Sequence, residues 1–190
     1  LGINFRKGTD LVLQAFNHLV RHEHMQSRLL IHAQVPMQAM VDAGVMTQLF
    51  HDAVDHDVLV WRHETVPSPG LYHLGKVVVQ PSRLEGLGLT IPEAMYQGRL
   101  VLTTNAPPMN EFVTFERHLV SVRKKSMRSD GLSFPGYEVG IDDLSYRMYQ
   151  SLWQISWSAY GRVNRARALD IFNWEAFCQR INYGLRAVGL

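Results

Sequence analysis

A short apolar run, Lys76-Val77-Val78-Val79-Gln80, leads through Pro81-Ser82 into a Gly86-Leu87-Gly88 turn, and a helix start follows at Thr90-Ile91-Pro92-Glu93. No other stretch limits the fold so strongly. A β-branched run without polar alternation reads as a strand buried on both faces, the habit of parallel sheets. A glycine turn into a helix with Pro in its first turn carries the chain back over the sheet. Strand, turn and helix start also aim unpaired N–H groups and the helix dipole at one spot, which favours an anion. Two carboxylates, Glu85 and Glu93, flank that spot eight positions apart. Carboxylates repel phosphate but accept hydrogen bonds from neutral hydroxyls. The pattern therefore points to a ligand with phosphates in its middle and hydroxyl-rich rings at its ends, as in a nucleotide-sugar.

The rest of the chain alternates in the same way, predicting an α/β fold. Strands are expected at Leu1–Asn4, Arg28–Ala33, Asp57–Trp61, Lys76–Gln80, Leu100–Thr103 and, last, Leu119–Val122. Leu11, Val12, Ala15, Phe16 and Leu19 form an apolar face at helical spacing behind a Thr9/Asp10 start. Further helices are expected from Pro36 to Leu49 with an interruption near Gly44, from Pro67 to Leu74, from Glu93 to Gly98, and after Pro108. From Ile141 onward the chain reads as helices broken near Gly161 and Asn173. The Gly-, Ser- and charge-rich stretch Arg123–Gly140 is expected to be a mobile loop.

Composition narrows the function classes. With 190 residues, 46% hydrophobic and 19% charged, the chain falls with ordered globular domains and outside the disordered class. A net charge of +2 with scattered basic residues gives no footprint for nucleic acid. The single cysteine, Cys178, excludes an internal disulfide and a thiolate metal cluster, so a reducing, cytoplasmic setting is the expectation. No signal-peptide pattern and no apolar run near the ~18 residues of a membrane span is present. Among the nine histidines, His22 and His24 lie two positions apart and cannot share a helical face, His51 and His56 have no third ligand nearby, and no metal is expected.

The run Pro81-Ser82-Arg83-Leu84-Glu85-Gly86-Leu87-Gly88, followed by Glu93, resembles the donor signature of retaining GT-B glycosyltransferases, above all family 4 (group 1), with its E-x7-E spacing. Leu87 stands where an aromatic residue is commoner. The resemblance implies the C-terminal, donor-binding half of a GT-B fold: a Rossmann-like parallel sheet with helices on both faces and the ligand at the carboxyl ends of the strands. It assigns Glu85 to the donor sugar and Glu93 to the ribose, while the backbone of Gly86, Leu87, Gly88, Leu89 and Thr90 completes a phosphate cradle. Arg6-Lys7-Gly8-Thr9-Asp10 is similar to the family's first loop, where cations neutralise the charge that a leaving diphosphate gains. Many relatives place that Arg directly after the strand glycine, where this chain has Ile3, so Arg6 stands in for it beside Lys7. No cofactor and no metal is implied, and Glu85 is not read as a nucleophile.

Residues 1–190 then form one domain, with the sheet core and donor motifs in 1–122, the mobile loop in 123–140 and C-terminal helices in 141–190. The strand-like opening at Leu1 leads to the expectation that an N-terminal acceptor domain is missing, through which the full enzyme would meet a glycan, lipid or protein acceptor. Trp61 and Arg62 sit where relatives hold the nucleobase, although a buried strand aromatic explains Trp61 as well. Glu111 matches a family acid and is read as bracing the donor loop. Arg83 is read as a surface residue or a phosphate contact, and Trp174, beside Phe172 and Asn173, as a structural anchor. Thr90-x-x-Glu93 is also a capping box, so Glu93 has a purely local alternative. Arg123, Lys124, Lys125 and Arg128 are read as solvated, with a weak contact to anionic lipid or to the missing domain as the lesser alternative. A non-catalytic nucleotide-sugar-binding or scaffold module, or another GT-B-fold sugar-nucleotide enzyme, stays open beside the transferase.

Overall fold

The computed structural model describes residues 6–23, 27–42, 44, 58–127, 135–153 and 156–187. Helix α1 (Thr9–Glu23) precedes β1 (Leu29–Ala33), α2 (Met37–Asp42) and β2 (Leu59–His63). A 3-10 turn at Tyr72–Leu74 leads into β3 (Val77–Gln80), α3 (Thr90–Tyr96) and β4 (Leu100–Thr104). Two 3-10 turns, Met109–Glu111 and Glu116–His118, precede β5 (Leu119–Val120), and β6 (Val122–Met127) and β7 (Pro135–Val139) follow. Helices α4 (Ile141–Trp153), α5 (Trp157–Ile171) and α6 (Trp174–Ala187) complete the described chain.

β1 and β2 pair in parallel, with Ile31 opposite Trp61. β3, β4 and β5 form a second parallel sheet with β4 central. Every residue of β4 is buried, and its alternation divides the core between two faces. Leu100 and Leu102 join Leu11, Ala15, Phe16 and Leu19 of α1 and Leu144 and Met148 of α4. Val101 points the other way, into a cluster with Ile91, Ala94 and Met95 of α3 and Ala168 of α5. The sheet is thus covered by helices on both faces, as the resemblance implied. Each fully buried leucine contributes about 1.5–3 kcal/mol. A third cluster, of Leu13, Ile31, Met40 and Leu59, holds β1 and β2 against the reverse side of α1.

Several local expectations change. The first strand, Leu1–Asn4, lies outside the described residues, as does the part of the Pro36–Leu49 helix that follows Asp42, Gly44 excepted. The helices expected at Pro67–Leu74 and after Pro108 shorten to single 3-10 turns. Leu119–Val122 is not the last strand, and Arg123–Gly140 is not simply a loop. It carries the antiparallel pair β6 and β7, with Lys124 opposite Glu138 and Lys125 opposite Tyr137. Its side chains are largely polar or part-exposed, and the register shifts between Val122 and Lys124, so no apolar alternation shows in the sequence.

Gly161 does not break a helix; it lies inside α5, while α4 ends at Trp153. A Cβ on Gly161 would sit 2.1 Å from the Gly98 carbonyl oxygen, so this glycine lets α5 lie directly on the turn between α3 and β4. Asn164, one turn later, donates to the Arg99 carbonyl at 2.7 Å. The glycine marks a close approach of two backbones.

Candidate functional site

Three segments meet at the carboxyl end of β3. Thr103 Oγ1 donates to the Gln80 carbonyl and Thr104 Oγ1 to the Ser82 carbonyl, both at 2.8 Å, so buried hydroxyls at the end of β4 hold the loop that leaves β3. The loop before α1 presses on the same place. Gly8 has φ +74°, and a Cβ there would lie 2.2 Å from the Pro81 carbonyl oxygen.

Arg83 ties the segments together. Its backbone N–H donates to the Arg6 carbonyl at 2.8 Å, and its carbonyl accepts from Tyr137 of β7 at 2.8 Å. Its guanidinium donates to both carboxylate oxygens of Asp10 at 2.7 Å and lies 3.5 Å from Glu138. Two parallel charge-assisted bonds of this kind are strong and directional. Arg83 is only 8% exposed and paired with Asp10, so it is not the surface residue expected from sequence. Its partners, Asp10 and Glu138, carried no recognisable signal because each comes from a distant segment.

The same packing brings Lys7 to Glu85. Lys7 Nζ donates to Glu85 Oε1 at 2.7 Å. Ser82 Oγ donates to that oxygen at 2.7 Å and accepts from Gln80 Nε2 at 2.8 Å. The Glu85 side chain is 5% exposed and that of Lys7 is 29% exposed. A buried carboxylate is thus matched by one cation and one hydroxyl, as burial of charge demands, while the ammonium keeps solvent access on its other side.

Glu93 stands apart from this pair. It is exposed, in the first turn of α3, and its Oε2 accepts a hydrogen bond from Tyr72 OH at 2.9 Å. It is not a capping-box residue: the helix starts after Leu89 with no side-chain cap bond. Burial first, then the hydrogen bond and charge of Glu93, hold the Tyr72 phenol well above its ordinary range. Tyr72 was missed in the sequence because nothing there links it to an acid 21 positions later.

The remaining candidates divide. The N–H groups of Gly86 to Leu89 have no backbone acceptor among the described residues, whereas the Gly88 and Leu89 carbonyls accept from Ile91 and Glu93 and begin the helix. Leu87 and Leu89 are exposed apolar side chains at this turn. A cleft of about 1450 Å³ is lined by Lys7, Arg62, Tyr72, Leu89, Thr90 and Glu93, with both parallel sheets contributing to its walls. Trp61 instead packs on the third cluster and donates to the Val35 carbonyl at 3.1 Å, so it supports the wall as a strand anchor. Arg62 is exposed and 3.9 Å from Glu64. Glu111 ends a 3-10 turn with an exposed side chain. Trp174 is also exposed, stacked on Phe177 rather than anchored in a core. Among the described residues no three His, Cys, Asp or Glu side chains converge as a metal site, and no helix is long and apolar enough to cross a membrane.

Residues 2–129, which contain the whole loop from Pro81 to Glu93, match the family described as glycosyl transferases group 1. The chain belongs to that family. Among curated proteins, none matches the sequence significantly. Solved structures of glycosyltransferases share the GT-B fold. A sucrose-phosphate synthase from Thermosynechococcus elongatus aligns with a TM-score of 0.68 at 20% identity, over 96% of this chain and 42% of its own. A glycosyltransferase from Rickettsia africae gives 0.70 at 13%, over 97% and 45%. The pneumococcal O-GlcNAc transferase, solved in complex with UDP and GlcNAc, gives 0.69 at 15%, over 96% and 33%. The group 1 domain thus spans less than half the length of each of these structures.

Proposed function

We propose that this group 1 domain binds the nucleotide-sugar donor of a glycosyltransferase that transfers a hexose-type sugar with retention. The observation that carries the reading is the placement of Lys7 against Glu85 at one end of a loop whose other end presents Glu93 to the cleft. In this reading Glu93 accepts from the ribose hydroxyls and Glu85 from hydroxyls of the sugar. Lys7, with Arg6, faces the diphosphate, and the N–H groups of Gly86 to Leu89 add donors to it. As the glycosidic bond breaks, negative charge grows on the leaving diphosphate, and preorganised cations lower the barrier by stabilising it. The chain's own residues then supply orientation and charge, with no side chain assigned as a nucleophile. A structural neighbour that holds UDP and GlcNAc supports a nucleoside diphosphate sugar as the ligand class. Acceptor binding would fall to a second domain, since comparable enzymes are more than twice as long.

The test is a calorimetric titration of the chain with UDP, GDP and ADP and their sugar conjugates, without added metal. Saturable binding of one series, weakened about tenfold or more by Lys7→Ala, is the expected result. A folded chain that binds none of them contradicts the proposal.

A further inference from the structure

We infer that Tyr72 is a positioning residue for the ribose contact: its hydroxyl fixes the Glu93 carboxylate in the orientation that receives the two ribose hydroxyls. The inference rests on the reading of Glu93 as the ribose ligand and adds a residue to it.

Glu93 needs such a partner. It is exposed, and an exposed Glu side chain samples several rotamers that a ligand must freeze on binding. Tyr72 has the opposite character. Its ring packs against the cluster formed by Ile91, Met95, Met109 and their neighbours, and a Cβ added at Gly70 would meet the ring edge at 3.7 Å. Its position is therefore set by the core, while its hydroxyl reaches the cleft wall and donates to Glu93 Oε2 at 2.9 Å. A carboxylate offers about four lone-pair sites, so one bond from Tyr72 leaves both oxygens able to accept from vicinal hydroxyls. The elevated phenol pKa keeps Tyr72 a donor across the whole physiological range. No other described side chain donates to Glu93.

Tyr72→Phe removes only the hydroxyl, since the ring remains in its apolar seat. The experiment titrates the full 190-residue chain and its Tyr72→Phe, Glu93→Ala and double variants with the nucleoside diphosphate that binds best, then with its 2′-deoxy and 3′-deoxy analogues. Tyr72→Phe should weaken the ribonucleotide about fivefold, with a smaller loss for the deoxy analogues, and should add nothing in the Glu93→Ala background. Unchanged thermal melting of Tyr72→Phe together with that selective loss separates positioning from folding. If Glu93→Ala weakens ribonucleotide binding but Tyr72→Phe does not, or if its loss is equal for ribo and deoxy ligands, the role of Tyr72 is overturned while the donor reading stands. If no nucleotide binds, or Glu93→Ala has no effect, the ribose reading falls and the role of Tyr72 with it.

Discussion

Lys7 and Glu85, 78 positions apart, meet through a 2.7 Å charge-assisted hydrogen bond in which Ser82 also donates to the acid. The cation assigned to the diphosphate and the acid assigned to the sugar are thus one coupled unit. A ligand phosphate must share or take the Lys7 ammonium. Neutralising the acid frees it.

Glu85→Gln is accordingly expected to leave free nucleoside diphosphate binding equal or tighter, while abolishing any gain in affinity from the attached sugar. Comparative titration of a nucleoside diphosphate and its sugar conjugate reads both effects. Equal weakening of the two ligands would show that Glu85 supports the loop and does not select the sugar.

Gly8→Ala should destabilise the fold by on the order of 3 kcal/mol, because its Cβ would sit 2.2 Å from a backbone oxygen of Pro81 at a φ that L residues rarely adopt. Urea unfolding measures the loss. A variant as stable as the parent would mean that the two loops do not touch as described.

Arg83→Met removes the only described cation from Asp10 and leaves that carboxylate in a poorly solvated position. Breaking a largely buried pair from one side costs about 3–5 kcal/mol. Arg83→Lys should recover only part, since an ammonium cannot make the two parallel bonds. Thermal melts of the three proteins should rank parent, Lys, Met.

His118 sets a pH dependence. It is fully buried between Phe115 and Tyr160, and neither ring nitrogen has a hydrogen-bond partner among the described residues. Burial, then the charges of Arg117 and Arg147, push its pKa down from 6.5 to about 4. The folded pKa is below the unfolded one, so between these values the unfolded chain binds more protons and stability rises with pH. The contribution is complete above about 6.5 and is lost as pH falls towards 4. Asp143 acts in the same direction at lower pH: burial opposes its charged form, but the Ser121 N–H and Arg147 outweigh it and lower its pKa. Urea melts should show the parent losing about 2 kcal/mol more than His118→Leu between pH 7 and pH 4.5. Parallel pH profiles would contradict this.

The sheet and the loop after β3 were legible because both rest on local chemistry. Val77–Val79 has no way to be a solvated strand, and Leu100–Leu102 marks the buried centre in the same way. What stayed hidden depends on contacts between distant segments. Arg83 looked like a surface cation because Asp10 and Glu138 are far away in sequence. Gly161 looked like a helix breaker because the backbone it lies on, at Gly98, belongs to another element. β6 and β7 pair through backbone bonds whose side chains carry little apolar signal. Tyr72 read as part of a short helix, and only its packing under α3 turns its hydroxyl toward Glu93.

The most direct measurement is a crystal structure of the chain grown with the nucleoside diphosphate sugar that titrates best. Difference density should place ribose hydroxyls on Glu93, the diphosphate within hydrogen-bond reach of Lys7 Nζ, and the sugar beside Glu85. Density for the nucleotide elsewhere on the protein, or in this cleft with its ribose away from Glu93, would contradict the donor-site assignment.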